Sequence, residues 1–487
     1  KRQYTFKLTF EQYSVILVWM AFFFTFLRLH EVKVTEKRVF HIAGFIVVAL
    51  GCGLFTNQII LSDFMEEHQI NIRMFRPMES YQKYGGVLTF ARSVGYAVVK
   101  KPEGYTTAKV DQIIQEYEKK SANEQQSTAK QYPNIITVVN ETFADIKVLG
   151  DFKTNEDYMP YFHSLKKNCV TGYTYASIVG GQTANTEFEL LTGNTLGFLS
   201  AGTTAFQLYI HGQMPSLVSN LKAEGYSGNK AMHPFNPYNY NRPAVYKDFG
   251  FTDFIDKFDF PKNVKRVREY ISDEANVDRI ISEYEKNRKK TDQPFYMYNM
   301  TIQNHSPYDK DAANFKQPIK IESSKYDAEA NRYLNLIKYS DDSLKQLTSY
   351  FERCKEPTII LFLGDHQPRL TDEFMNKITN GQYQTWSSEQ MMKRYQVPFV
   401  IWANYDIKGQ HIEKTSMNYI QSILTQTAGV KMTGYQRFLN EVRKEVPTIT
   451  SQGYWGKNGK FYQINDKGSP YYGIIQKYRM IQYLSLI

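Results

Sequence analysis

Three apolar runs in this chain each end on residues that bind metal ions or move protons. The runs and the residues that close them are 134–139 with Asn140 and Glu141, 295–302 with Asn304 and His305, and 358–363 with Gly364, Asp365 and His366. Each run has the length and the composition of a buried strand. In an open parallel sheet, chemistry gathers where strands end at their carboxyl side. This pattern therefore indicates a metal-assisted enzyme.

Each of these side chains has a chemical and a structural interpretation. Glu141 can present a carboxylate at the sheet edge, or it can cap the next turn. The adjacent Asp365 and His366 form an oxygen and nitrogen donor pair that suits manganese, magnesium or zinc; the alternative is a turn aspartate beside a surface histidine. His305 can bind metal, position a phosphate or carry a proton, or it can simply face solvent.

A glycine-rich segment, GGQTANTEFELLTG at 180–193, supplies a candidate nucleophile. The glycine pair allows close approach of the backbone, and Thr183 then stands at the start of a predicted helix. A helix N-terminus offers free N–H groups that suit a phosphate. The Thr183 hydroxyl can be a metal ligand and a nucleophile. The alternative is a structural threonine in a glycine-rich turn.

An aromatic loop broken by prolines follows, and it contains His233, Tyr240 and Arg242. Arg242 can hold phosphate oxygens through two parallel hydrogen bonds. The alternative for an isolated arginine is a surface ion pair.

Composition excludes some classes of protein. A chain of 487 residues is too long for one small core. Three cysteines at spacings that match no metal motif argue against a disulfide framework. The net charge of +10 favours anionic lipid head groups beside a bilayer. No nucleic-acid motif or basic, aromatic-laced stripe supports the competing interpretation, so we expect no nucleic-acid partner.

The N-terminal part is apolar and predicts membrane helices. Segment 40–60 is long enough to span a bilayer, and segment 13–27 spans if 8–12 is counted with it. The alternative is a pair of buried core helices. Positive residues in the intervening loop, such as Arg28 and Lys33, predict that this loop is cytoplasmic and that everything after 60 is outside. Lys7 opposes that orientation.

The rest of the chain predicts an α/β fold, a mostly parallel sheet flanked by helices and preceded by the transmembrane helices. Predicted strands are 134–140, 295–302, 358–363 and 398–403. Predicted helices begin at Thr106 or Thr107 and cover 214–224, 263–287 and 328–354. We expect four regions: transmembrane helices at 1–68, a juxtamembrane helical connector with a polar linker at 69–130, an extracellular catalytic domain at 131–440, and a C-terminal peripheral segment at 441–487.

The motifs PNIITVVNETFAD, GGQTANTEFELLTG, GYSGNKAMH, NHSPY and LFLGDHQP occur in an order that resembles the lipoteichoic acid synthase family. These are membrane phosphoglycerol transferases of the alkaline phosphatase and sulfatase superfamily. The resemblance covers about residues 130–430 and implies a sulfatase-like fold.

The resemblance also implies roles for individual residues. The metal ligands, usually for one manganese ion, would be Glu141, Thr183, Asp365 and His366. Thr183 would also be the nucleophile, and His305 would contact substrate beside the metal. His233 and Arg242 would line the glycerophosphate pocket. Tyr240 stands where the family commonly has tryptophan, which affects how glycerol is recognised.

The implied reaction is a two-step transfer of glycerol phosphate from phosphatidylglycerol through a phospho-threonine at Thr183. The acceptor would be a polyglycerol-phosphate chain, a glycolipid primer or a periplasmic glucan. The enzyme would sit in a bacterial membrane with its catalytic domain outside. The family carries five membrane helices, so the resemblance implies that three precede the two predicted here.

Three rival functions remain at this stage. A true sulfatase needs a C/S-x-P-x-R signature, and the sequence contains none. A phosphoethanolamine transferase also uses a threonine nucleophile, typically with zinc, but the contexts of Glu141 and Thr183 are more similar to the glycerophosphate branch. A non-catalytic binding protein is disfavoured because every candidate ligand is intact.

Overall fold

The computed structural model of the chain describes residues 38–61, 77–122, 132–322 and 327–487. The chain divides into two units, with the division at Val98 and Val99. All the candidate site residues lie in the second unit.

The first unit is helical where it is described. Its helices are α1 (Arg38–Phe55), α2 (Pro77–Tyr84) and α3 (Gly86–Tyr96), and α1 continues into a π-helical turn, Thr56–Leu61. The predicted membrane segment 13–27 lies outside the described residues, and 40–60 falls on α1 and the turn. Within the described ranges no helix has the length and hydrophobicity needed to cross a membrane. The α-helical part of 40–60 ends at Phe55, before three polar residues.

Thirteen strands lie within the described residues of the second unit. They are β1 (Asn134–Asn140), β2 (Cys169–Tyr175), β3 (Ser227–Met232), β4 (Asp253–Ile255), β5 (Arg266–Val267), β6 (Tyr270–Ile271), β7 (Phe295–Met300), β8 (Thr358–Gly364), β9 (Gln396–Ala403), β10 (Gln410–Ser416), β11 (Thr448–Thr450), β12 (Gly453–Trp455) and β13 (Phe461–Tyr462).

The main sheet has eight strands in the order β10-β2-β9-β8-β1-β7-β3-β4. Strand β9 runs antiparallel to both of its neighbours, and the other seven strands are parallel to one another. Strands β1 and β8 pair along their whole length, with Asn140 opposite Gly364 at the carboxyl end. The predicted α/β fold with a mostly parallel sheet is confirmed.

Helices surround this sheet. They are α4 (Thr107–Ala122), α5 (Pro160–Ser164), α6 (Thr183–Thr192), α7 (Ala205–Leu208), α8 (Leu217–Ala223), α9 (Arg242–Phe249), α10 (Asp273–Arg288), α11 (Ala328–Phe351), α12 (Asp372–Ile378), α13 (Ser388–Met391), α14 (Met417–Thr427), α15 (Gly434–Glu445) and α16 (Tyr472–Leu486).

Two hydrophobic clusters form the core, and the alternation of side chains along β1 explains why. Ile135 and Val139 belong to one cluster, together with residues of α4, α6, α8, α14, α15 and α16. Ile136 and Val138 belong to the other, together with residues of α10, α11 and α12. Successive side chains of a strand point to opposite faces, so a strand that is apolar throughout needs helices on both sides.

Most element boundaries follow the sequence pattern, with one clear exception. Strands β1, β7, β8 and β9 coincide with the predicted runs to within two residues at each end, and helices α4, α8 and α11 lie where helices were expected. The predicted helix 263–287 is wrong in its first third, which forms the β5–β6 hairpin. Helix α10 starts only after Ser272, whose hydroxyl accepts a hydrogen bond from the N–H of Ala275.

The end of the chain contributes to the core, although 441–487 was expected to be peripheral. Strands β11, β12 and β13 form a small antiparallel sheet. Helix α16 then buries Ile475 and Tyr478 in the cluster that includes α6.

A substitution at Gly364 can test how tightly the end of β8 is packed. A methyl group there would lie 1.8 Å from the Phe143 carbonyl oxygen. We expect Gly364→Ala to lower the free energy of unfolding by about 3 kcal/mol, because that backbone must move. Urea denaturation measures the change. Gly212→Ala is the matched control, since a methyl group at Gly212 meets nothing within 4 Å. Equal denaturation midpoints for the two variants would contradict the prediction.

Candidate active site

Four neighbouring strands deliver the predicted residues to one edge of the sheet. Glu141 directly follows β1, His305 comes five residues after β7, Asp365 and His366 follow β8, and His233 follows β3. Strands β8, β1, β7 and β3 are adjacent and parallel. Their carboxyl ends therefore meet at the same edge, as in other open α/β sheets.

A turn of three left-handed residues places Thr183 at this edge. Gly180, Gly181 and Gln182 have φ values of +66°, +139° and +65°, and Thr183 is the first residue of α6. The Gly180 N–H donates to the Gln367 carbonyl oxygen at 3.0 Å. This bond ties the turn to the loop that carries Asp365 and His366. The first N–H groups of α6 have no partner within the helix, which gives Thr183 a positive local potential.

The side chains of Glu141, Asp365 and His366 converge. Their ligand atoms all lie within 4.8 Å of one another, and all three residues are buried. The His366 Nε2 atom is 3.2 Å from Asp365 Oδ2 and 3.8 Å from Glu141 Oε1. The Thr183 hydroxyl donates to Glu141 Oε2 at 3.4 Å. The structure therefore brings together the four residues that the sequence analysis grouped as metal ligands.

The hydrogen-bond pattern of this cluster fits a divalent cation. Asp365 Oδ1 accepts from the N–H groups of Thr142 and His366, at 2.7 and 2.8 Å. Asp365 Oδ2 and His366 Nε2 are buried and have no hydrogen-bond partner among the described residues. His366 Nδ1 lies 3.0 Å from the Gln367 carbonyl oxygen, so this nitrogen carries the hydrogen. The Nε2 lone pair is then available to a metal.

Electrostatics leads to the same conclusion for Glu141. Burial, and after it the charge of Asp365, raises the pKa of the Glu141 carboxyl well above its ordinary value. Two buried carboxylates side by side are unfavourable unless a positive charge offsets them. Oxygen and imidazole donors of this kind suit manganese, magnesium or zinc, and they do not select one of these ions.

The remaining predicted residues surround this cluster and interact electrostatically with it or with one another. The charge of Arg242 acts on both Glu141 and His233. His366 and Asp365 interact electrostatically with His305. The ring centroids of His305 and Phe235 lie 6.3 Å apart in a stacked arrangement. All the predicted side chains therefore lie at one end of the sheet.

The two outer histidines are neutral acceptors. Burial lowers the pKa of His233 well below its ordinary value, and its Nδ1 lies 2.9 Å from the Met300 carbonyl oxygen. Burial also lowers the pKa of His305, and its Nδ1 lies 2.7 Å from the Ser306 carbonyl oxygen. Because a carbonyl oxygen can only accept, Nδ1 carries the hydrogen in both rings. Each ring then keeps a lone pair on Nε2.

Arg242 is held differently from the prediction. Its Nε and Nη2 groups both donate to Glu187 Oε1, at 3.1 and 2.6 Å, and the pair is buried. That edge of the guanidinium is therefore not available for paired hydrogen bonds to a phosphate. The Tyr240 ring centroid is 5.1 Å from the guanidinium carbon. Tyr240 and Asn241 adopt left-handed backbone conformations, with φ of +59° and +57°, immediately before α9 begins.

The sequence analysis missed Glu187 as a supporting residue. Its carboxylate receives hydrogen bonds from Arg242 and from the hydroxyls of Tyr246 and Tyr298. Glu187 lies in the segment TEFELL of α6, directly before Phe188, and it is fully buried. A carboxylate beside the apolar residues of a helix is the only signal in the sequence. Its partner Arg242 lies 55 positions away and could not be identified.

Comparisons with known proteins agree with this fold. The profile of the sulfatase family matches residues 133–430. A candidate cyclic beta-1,2-glucan modification protein of Rhizobium meliloti is 31% identical over 395 residues, covering 80% of this chain and 59% of that protein. The lipoteichoic acid synthase of Staphylococcus saprophyticus is 23% identical over 374 residues, covering 74% of this chain and 55% of that protein. The chain thus spans less than two thirds of each of these relatives.

Solved structures show the same fold. The phosphoglycerol transferase GacH of Streptococcus pyogenes, in complex with sn-glycerol-1-phosphate, superposes with a TM-score of 0.63 at 20% identity. The match covers 79% of this chain and 94% of that one. The chain therefore belongs to the sulfatase family, as a lipoteichoic-acid-synthase-like member of the alkaline phosphatase and sulfatase superfamily.

Metal binding can be tested at Asp365. We expect Asp365→Asn to weaken Mn²⁺ binding at least about 100-fold, because it removes the charge that offsets the ion. Isothermal titration calorimetry of the metal-free protein measures the affinity. Asp406→Asn, which changes an exposed carboxyl, is the control and should bind Mn²⁺ as the parent protein does. Unchanged affinity in Asp365→Asn would rule out this cluster as the metal site.

Proposed function

We propose that this protein is a metal-dependent phosphoglycerol transferase that works through a covalent phospho-threonine at Thr183. The observation that carries the proposal is the position of the Thr183 hydroxyl, 3.4 Å from Glu141 Oε2 in the first turn of α6. Asp365 and His366 complete the surroundings of this hydroxyl. A hydroxyl beside a candidate metal site and a helix N-terminus suits attack on a phosphate ester.

The relatives support the choice of a glycerophosphate group. Lipoteichoic acid synthases are among the sequences similar to this chain. The GacH structure was obtained with sn-glycerol-1-phosphate. We therefore infer phosphatidylglycerol as the donor, and as the acceptor a polyglycerol-phosphate chain or its glycolipid primer. The name of the Rhizobium relative adds a glucan as a second acceptor class.

In the first half-reaction Thr183 Oγ attacks the phosphorus of the donor phosphodiester. A bond from Oγ to phosphorus forms, and the bond from phosphorus to the diacylglycerol oxygen breaks. The Thr183 proton leaves toward Glu141 Oε2, to which the hydroxyl already donates. The diacylglycerol oxygen takes up a proton from water, and diacylglycerol departs. A bound Mn²⁺ would lower the pKa of the hydroxyl and neutralise phosphate charge, held by Glu141, Thr183, Asp365 and His366.

In the second half-reaction an acceptor hydroxyl attacks the phosphorus of the phospho-threonine, so that a bond from the acceptor oxygen to phosphorus forms and the bond from phosphorus to Thr183 Oγ breaks. Thr183 Oγ then takes back the proton held by Glu141. His305 is our candidate for the group that takes the proton of the acceptor hydroxyl. This assignment is one form of the proton-carrying role that the sequence allowed for His305. A neutral ring with a lone pair on Nε2 suits proton acceptance.

Substrate contacts follow from the same hydrogen-bond rules. The Nε2 lone pair of His233 suits a glycerol hydroxyl, which can donate, rather than a phosphate oxygen, which cannot. Arg242 supplies positive charge near the phosphate through the part of its guanidinium that faces away from Glu187. Tyr240 packs against this guanidinium and fixes its orientation.

We also propose that the enzyme acts at the outer face of a bacterial membrane. The donor is a lipid, so the crevice must reach a bilayer. The apolar N-terminal segments 13–27 and 40–60 and the charge of the loop between them support an outward orientation of the second unit. The proposed catalytic domain covers 131–440, and 441–487 adds a small sheet and α16 to its core.

The covalent step predicts the behaviour of Thr183 variants. Thr183→Ala should lower turnover at least about 10⁴-fold while leaving the fold intact, because it removes the nucleophile. Release of diacylglycerol from fluorescent phosphatidylglycerol, with and without Mn²⁺, measures turnover. Mass spectrometry of the Thr183 peptide should detect one added glycerophosphoryl group in the parent protein. Thr385→Ala, on an exposed threonine, is the control; normal turnover in Thr183→Ala would remove the covalent step.

The head group of the donor separates this proposal from its main rival. With lipids labelled in the head group, we expect label transfer from phosphatidylglycerol at least about tenfold faster than from phosphatidylethanolamine. The cationic Arg242 repels an ammonium group, whereas a glycerol hydroxyl is neutral and can donate to His233 Nε2. Faster transfer from phosphatidylethanolamine would identify a phosphoethanolamine transferase instead.

A further inference from the structure

A second cavity, of 560 Å³, lies in the second unit at the end of α6 that is remote from Thr183. Residues of α4, α15 and α16 line it, together with Thr192 at the C-terminus of α6. Thr183 and Thr192 are the first and last residues of this helix, so they lie about 14 Å apart. The cavity is therefore separate from the candidate active site.

The polar lining of this cavity consists of amides, hydroxyls and carboxylates. Its amides are those of Gln115, Asn194, Gln213, Asn220 and Gln421, and its carboxylates are those of Asp111 and Glu118. None of the described residues that line the cavity is a lysine, an arginine or a histidine. A phosphate group would meet two carboxylates and no cation there, which disfavours binding. The lining therefore suits a neutral ligand that carries several hydroxyl groups.

Gln421 is an independent sign that a ligand belongs in this cavity. Its side chain is 1% exposed, and its Nε2 group has no hydrogen-bond partner among the described residues. Its other amide atom, Oε1, accepts from Gln436 Nε2 at 3.4 Å. A buried donor without an acceptor is costly, and a ligand hydroxyl would satisfy it. Gly193 leaves room for the amide in this position, because a methyl group there would lie 2.4 Å from Nε2.

The apolar part of the lining completes the match to a sugar ring. Val110, Ile114, Ile481 and Leu484 contribute aliphatic surface to the same cavity. A pyranose has hydroxyl groups at its rim and C–H groups on its faces, so it needs polar and apolar contacts together. The volume falls in the usual range for ligand sites, about 300–1,000 Å³. We propose that this cavity binds the neutral hexopyranose units of a glycan.

Such a site would hold a polymeric acceptor near the enzyme. A chain bound at a point remote from the crevice keeps its other hydroxyl groups at a high effective concentration around Thr183. This anchoring role rests on the proposed transfer reaction. Glycan binding itself does not depend on that reaction, so the two can fail separately.

Direct binding tests the site, using the full chain and a linear β-1,2-linked gluco-oligosaccharide in isothermal titration calorimetry. Gln115 lines the cavity, is exposed and lies on α4, so Gln115→Trp should fill the cavity without disturbing the core. We expect at least about a tenfold loss of affinity. Gln112→Trp is the matched control on the same helix, since Gln112 is exposed and is not among the lining residues; its affinity should stay within about twofold.

Further experiments distinguish a free glycan from a lipid-anchored sugar, and binding in the cavity from binding at the candidate active site. Vesicles that contain glucosyl diacylglycerol, compared with plain phosphatidylcholine vesicles, test whether a lipid-anchored sugar binds as the free glycan does. Binding of either ligand that survives Thr183→Ala and metal chelation supports the proposal. Absence of binding to both ligands, equal losses in both glutamine variants, or loss of binding on chelation would overturn it. Absence of transfer activity in the parent protein, with glycan binding intact, would count against the proposed function alone.

Discussion

The burial of two carboxylates beside an imidazole is the constraint on which the site depends. Glu141 and Asp365 lie in a part of the protein that excludes water, where like charges repel strongly. No lysine or arginine within the described residues forms an ion pair with either carboxylate. The backbone N–H groups of Thr142 and His366 hold one oxygen of Asp365, so its second oxygen is fixed and ready for a cation. The protein therefore provides geometry but leaves charge balance to an ion.

Polar side chains beneath this cluster keep it rigid. Asn304 donates to the Glu141 carbonyl oxygen at 3.0 Å, and Asn140 donates to Asp273 Oδ2 at 2.7 Å. Ser340 donates to the same Asp273 oxygen at 2.6 Å, which links the ends of β1 and β7 to α10 and α11. Supporting contacts of this kind fix the orientation of metal ligands. On the other side, Glu187 does the same for Arg242, because their ion pair is fully buried.

The sequence predicted the parts of the fold that are apolar on both faces. Strands β1 and β8 are continuous apolar runs because helices cover both sides of them, and their ends therefore located Glu141 and Asp365. Strand β3 (SGNKAM) and the edge strand β10 (QHIEKTS) contain glycine or charged residues, which hide the strand pattern. Contacts between residues far apart in the sequence could not be predicted, for another reason. Glu187 and Arg242 have no sequence relation that reveals their contact, so the position of Arg242 needed the structure.

The register between β1 and β8 has a consequence for how this site can evolve. Asn140 lies opposite Gly364 at the ends of two neighbouring parallel strands. Glu141 and Asp365, the first residue after each strand, therefore lie side by side at the edge of the sheet. Deleting one residue from either strand would shift one carboxylate by about 3.3 Å and turn it to the opposite face. Point substitutions can adjust substrate preference in the surrounding loops, but changes in strand length would separate the two acids at once. The spacing of the acids is therefore inherited with the sheet itself, whereas the loops are free to diversify.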